Sequence, residues 1–128
     1  MNYLTLAARI LFSLVFILAA PRHFSHEGIS HAADLGVPFA AVVVPISGVM
    51  AIAGGLSVAA GYHAKWGAWV LVAFLVPVTL MMHAFWKLHD PAQIHIQQAM
   101  FAKNLSMLGA ALLITQFGAG GMSIDNSF

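Results

Sequence analysis

From Val37 to Gly61 the chain carries no charged side chain, and from Trp66 to Trp86 its one titratable group is His83. A bilayer core of about 30 Å is crossed by about 20 helical residues, so each run is long enough for one passage. Only Tyr62-His63-Ala64-Lys65 separates them. A helix satisfies its own backbone groups, and in hydrocarbon nothing else will, so the expected elements are helices. Two further segments have the same character: Tyr3–Ala20 holds Arg9 alone, and Ala99–Phe117 holds Lys103 alone. The expected fold is therefore all-α, a four-transmembrane-helix bundle with short connections. It forms one domain over residues 1–128, with spans at about 3–20, 37–61, 66–86 and 97–117.

Composition points the same way. Hydrophobic residues make up 61% of the chain and charged residues 7%, against about 25% charged in a soluble domain. Such a chain cannot clothe a water-facing surface, so membrane lipid is its expected partner. The net charge of +1 gives no basis for nucleic-acid binding, which needs a clustered basic surface. There is no cysteine, which excludes disulfides, thiol shuttling and thiolate-held iron–sulfur clusters. The first apolar run is long and has no Lys or Arg before Arg9, so a cleavable signal is not expected. Gly does not follow Met1 and no Cys lies at the C-terminus, so no lipid anchor is expected either.

The connections carry their own signals. Pro21 ends the first span, and Ile29–Leu35 reads as a short interfacial helix closed by Gly36. Pro38 suits the first turn of the second span, where its missing N–H is no loss. The turn at Gly61–Lys65 makes the second and third spans antiparallel neighbours. Asp90-Pro91 reads as a helix cap followed by Pro at the first helical position, so the last helix begins there, outside the membrane. The tail from Gly118 to Phe128 is Gly-rich and polar, and is expected to be loosely ordered. Ser47, Ala51, Gly55 and Ala59 recur every fourth residue, as do Ala102, Ser106 and Ala110. Small residues at that spacing let helices approach closely in lipid, within the bundle or between copies. Pro77 removes the backbone bond to the Ala73 carbonyl and can line a cavity. Lys65 and Arg9 on one side, against Arg22, Lys87 and Lys103 on the other, do not set an orientation.

The polar residues within the spans are the candidates for function, because such groups are costly in lipid and usually face a bundle interior or cavity. Arg9, about two turns into the first span, either snorkels to the interface or binds an anionic group or carbonyl. His83 is either a headgroup histidine or a donor and acceptor for a quinone carbonyl or proton relay, with Thr79 and Trp86 on its face. Asn104 shares a face with Gln97, Ala111 and Thr115, and serves either as interhelical glue or as a ligand contact. Lys103 points about 100° away from it. His23, His26, His31, His89 and His95 lie in the connections without the fixed spacing of a metal site, and no metal is expected. Glu27, Asp34, Asp90 and Asp125 all lie outside the spans, against a carboxylate-based ion pump. No nucleophile elbow, phosphate loop or dinucleotide fingerprint occurs.

Several stretches together resemble a known family. They are Arg9-Ile10-Leu11-Phe12-Ser13-Leu14-Val15-Phe16, Arg22-His23-Phe24, Gly36-Val37-Pro38, Ser47-Gly48 to Gly54-Gly55-Leu56, and Gly61-Tyr62-His63-Ala64-Lys65-Trp66-Gly67-Ala68. Met82-His83-Ala84-Phe85-Trp86, Met100-Phe101-Ala102-Lys103-Asn104-Leu105 and Ser123-Ile124-Asp125 complete the set. Over nearly its whole length the chain resembles the DoxX-like small membrane proteins. That resemblance implies a four-helix protein of the bacterial inner membrane, associated with a quinone-linked oxidoreductase. The expected function is a membrane subunit that binds a quinone or similar lipid-soluble ligand and supports a partner redox enzyme. His83, Trp86 and Asn104 would position the head group, and Arg9 or Lys103 would stabilise negative charge. The alternative is a non-catalytic assembly subunit whose partners are other protein subunits or further copies of the chain.

Overall fold

Hydrocarbon offers a backbone amide no partner, and each long apolar run closes its own hydrogen bonds as a helix. The computed structural model describes residues 2–125. In chain order the helices are α1 (Asn2–Ala19), α2 (His26–Asp34), α3 (Ala40–Ala60), α4 (Ala64–Met82) and α5 (Pro91–Phe117). All but α2 are long and apolar enough to cross a bilayer, and no strand occurs among the described residues. The expected all-α architecture with four spans is the one observed.

Local chemistry sets the helix ends, in some places differently from expectation. α1 runs into a 3-10 turn, Ala20–Phe24, with Pro21 in its opening position. Ser25 then caps α2, its hydroxyl accepting from the Gly28 N–H at 3.0 Å and donating to the Arg22 carbonyl at 2.8 Å. This cap starts α2 at His26 rather than Ile29. Pro38 lies before α3 instead of in its first turn. Phe39 adopts a left-handed conformation with φ of 53°, and its carbonyl accepts the first helical bonds, from Val42 and Val43, at 2.9 Å. At the other end of α3, Gly61 takes φ of 71°. Its N–H bonds the Val58 carbonyl at 3.1 Å and that of Tyr62 bonds Ser57 at 3.0 Å, a Schellman closure. α4 stops at Met82, short of Trp86, because His83 leaves helical geometry with φ −123° and ψ 39°. A second 3-10 turn, Phe85–Lys87, follows. α5 begins as expected: the Asp90 carboxylate accepts from the Ala92 N–H at 3.3 Å and Pro91 opens the helix.

α3 and α4 pack side by side as antiparallel neighbours, α1 lies against α3, and α5 lies against α4. α1 and α5 make at most marginal backbone contact. Phe16 of α1, Ala51 and Val58 of α3, Leu71 and Leu75 of α4 and Ala111 of α5 form the main buried cluster. Gly55 meets α1, where an added Cβ would stand 3.2 Å from Ile17. Gly54 and Gly67 bring α3 and α4 together, a Cβ on Gly54 falling 2.8 Å from Leu71 and one on Gly67 colliding with Ser57. The first small-residue ridge is thus spent inside the bundle. Ala102 and Ser106 of the second remain exposed, and Gly109 beside them has nothing within 4 Å of its Cβ position.

The tail departs most from expectation. Up to Asp125 it is folded back onto the bundle. The Arg9 guanidinium, 4% exposed, donates to the carbonyls of Ala119 at 2.6 Å, Gly121 at 2.9 Å and Met122 at 2.5 Å. Ile124 and Asp125 donate their backbone N–H groups to Ala60 and Gly61 at 3.2 and 2.7 Å. The Asp125 carboxylate accepts from the N–H groups of His63 and Ala64 at 2.7 and 3.0 Å. It caps α4 from the far end of the chain, at the helix terminus where a negative charge is favourable. A Gly-rich tail reads as loose, but a buried guanidinium in need of acceptors makes it rigid.

Gly67→Val should destabilise the protein by about 1–3 kcal/mol through overpacking, whereas Gly109→Ala should stabilise it by roughly 0.5–1 kcal/mol. Unfolding midpoints in detergent will show the opposite signs. Arg9→Met should release the tail, giving rapid protease cleavage between Gly118 and Asp125 that the parent chain resists. Asp125→Ala should cost about 1 kcal/mol through the lost cap, read in the same unfolding assay.

Candidate functional site

Four spans place the ends of α1 and α4 and the starts of α3 and α5 on one side of the membrane. The polar groups of interest gather at this end. Pro21 turns the chain out of α1, and the following 3-10 turn lies on α3 at Gly48, where a Cβ would stand 2.7 Å from that of His23. His23 is thereby held beside Ser47, its Nδ1 2.8 Å from the hydroxyl. Ser47 in turn donates to the Val44 carbonyl at 2.6 Å. The hydroxyl has one proton and has given it to Val44, so it accepts from His23 Nδ1–H. The imidazole also rests on Phe74, ring centres 5.6 Å apart.

His83 sits where α4 breaks off. Its Nδ1 lies 2.7 Å from Oε1 of Gln97 on α5. A carboxamide oxygen only accepts, so here too Nδ1 carries a proton. Two turns further along α5, Asn104 is 4% exposed. It shares its buried face with Ala111 and Thr115, the stripe expected from helical spacing. No described residue accepts from or donates to its carboxamide. Lys103, exposed and one residue away, rests its ammonium on Met100 at 3.6 Å.

His23, Ser47, His83, Lys103 and Asn104 all line one cavity of about 340 Å³, together with Arg22. Its walls are otherwise apolar, made by residues such as Phe16, Val44, Met50, Phe74 and Met107 from four helices, with Ala73 and Pro77 contributing where the α4 backbone bond is missing. The exposed Val43 and Ile46 at its rim open it toward the apolar surroundings. A concave, mainly apolar space of this size with a few convergent polar groups is the usual form of a small-molecule site.

Two of the five residues expected at the site lie elsewhere. Arg9 is at the opposite end of the bundle, occupied by the tail carbonyls, so it neither snorkels nor meets a ligand in this cavity. Trp86 is carried outward by the break at His83; it is 53% exposed and edges against Phe85 and Phe101 at 5.3 and 5.8 Å. That is the place of an amphipathic ring at the membrane interface. Three residues at the cavity, Arg22, His23 and Ser47, are not expected at the ligand site from sequence, which weighs His23 only as a metal ligand and Ser47 only as a packing residue. Pro21 before Arg22-His23 and the small Ser47-Gly48 opposite were the signal, but pairing them needs the crossing of two helices.

The comparisons correct the resemblance. The motifs that carry it meet general needs of a helical bundle in lipid, close glycine contacts and interfacial aromatics among them, and do not single out the DoxX-like proteins. The family model that matches is that of the SURF4 family, over residues 1–127. The inner membrane protein YphA of Escherichia coli strain K12 is 27% identical over 124 residues, covering 95% of this chain and 88% of that protein. No solved structure matches. With four spans and this relative, the chain is an integral protein of the inner membrane, as expected. It belongs to the SURF4 family.

Proposed function

We propose that this chain is a membrane subunit that binds a quinone or similar lipid-soluble ligand in the cavity between its helices and supports a partner redox enzyme. Asn104 carries the reading. Its carboxamide has no protein partner and lies on the cavity wall, so a ligand that covers it must either hydrogen-bond it or leave it unmatched, a difference of about 1–3 kcal/mol. The apolar walls suit a ring or hydrocarbon tail, the rim opens toward lipid, and Lys103 and Arg22 favour a head group that is electron-rich or becomes so. The chain has no thiol to carry electrons, so a partner would deliver or remove them. Solvent extraction of gently purified protein should recover quinone in near-stoichiometric amount. Asn104→Leu, with the bundle intact by unfolding midpoint, should lower that yield about tenfold. Parent protein yielding no quinone would end this reading.

The exposed small face of α5 favours a second one. Ala102, Ser106 and Gly109 leave room for another helix to approach, as in an assembly subunit. In native mass spectrometry, a constant partner lost on Gly109→Leu, with no bound ligand, would favour this reading over the first.

A further inference from the structure

Resting on the ligand reading above, we infer that the cavity prefers the reduced, hydroquinone form of its ligand to the quinone. The two imidazoles that line it are both committed at Nδ1. His23 donates to Ser47, whose own proton is spent on the Val44 carbonyl. His83 donates to the Gln97 carboxamide oxygen. A neutral imidazole that donates from Nδ1 has only a lone pair at Nε2. Beyond these contacts and one of the His23 ring with the Val44 carbonyl, neither imidazole has a hydrogen bond among the described residues. Both histidines line the cavity, so with Nε2 turned into it each supplies an acceptor, beside donors on Lys103, Arg22 and the unpartnered Asn104.

A quinone carbonyl only accepts. It satisfies Asn104 or Lys103, but it removes water from the imidazole lone pairs and returns nothing to them. A hydroquinone hydroxyl donates and accepts at the same oxygen, so it answers both sets of groups. One buried acceptor left unmatched corresponds to a loss of about tenfold in affinity. A tenfold preference for the reduced form raises the two-electron potential of the bound couple by about 30 mV. Bound quinone is then easier to reduce, and the site suits a partner that delivers electrons to it. Gln97 touches no ligand in this scheme; it is a positioning residue that fixes the His83 tautomer.

The test uses the full chain in lipid nanodiscs under anaerobic conditions, with decylubiquinone and decylubiquinol as the two probes in separate titrations. The parent protein should bind the reduced probe at least about tenfold more tightly. Gln97→Leu should bring that ratio toward one by tightening the oxidised probe while leaving the affinity for the reduced probe unchanged, because His83 is then free to present a donor. A change that merely loosened the bundle would weaken both probes together, and that outcome would overturn the role of the tautomer. Equal binding of the two forms by the parent protein, or tighter binding of the quinone, would overturn the preference but leave the ligand reading standing. Binding of neither probe above that of empty nanodiscs would overturn both.

Discussion

The Arg9 guanidinium is buried within a crossing helix, and its partners are backbone carbonyls that belong to no regular element. Irregular backbone at membrane depth is tolerated where its polar groups are paired inside the protein. Here the pairing is mutual: the cation needs acceptors, and the carbonyls exposed by the turns at Gly118, Gly120 and Met122 need donors. The same fold-back brings Asp125 to the start of α4. One end of the bundle thus turns most of its polar groups on itself, although Arg9 Nε stays buried without a partner among the described residues.

The opposite end is built the other way. Pro21, the break at His83 and the cap at Asp90 set the helix ends here, and α1 and α5 make at most marginal contact with each other. What would be a fourth packed seam becomes a cavity. Its polar groups are held by neighbours on one side only: each histidine is fixed through Nδ1, and Asn104 is not held at all. The two ends of this small bundle therefore differ in kind: around Arg9 the polar groups meet mostly one another, and at the other end they meet a cavity.

How much of this the chain reveals by itself follows from distance along it. The spans, the Asp90-Pro91 start and the Asn104, Ala111, Thr115 stripe rest on spacing within one helix, and they are legible. Phe39 and Ser25 are local too, yet their signals are weak: a left-handed Phe has no compositional mark, and Ser25 precedes no long apolar run. The His23–Ser47 pair joins residues 24 apart, and the Arg9–Met122 bond joins residues 113 apart. Such contacts depend on how helices cross, which periodicity does not encode. The same blindness makes Arg9 look like a free cation and the tail like a free end. It also explains the mistaken family resemblance, since Gly61-Tyr62-His63-Ala64-Lys65 and the glycine ridges answer to packing needs that unrelated bundles share.

The cap on α4 also has a history in time. A ribosome delivers Ala64 long before Asp125, which follows it 61 residues later. Through all of that synthesis α4 enters the membrane with its first amides unanswered and Arg9 still without its acceptors. Both debts are settled in one event, after α5 has crossed and the tail has returned. Quality control acting on membrane chains would therefore meet two different objects: a nascent bundle with an open, charged end, and a finished one in which that end has vanished.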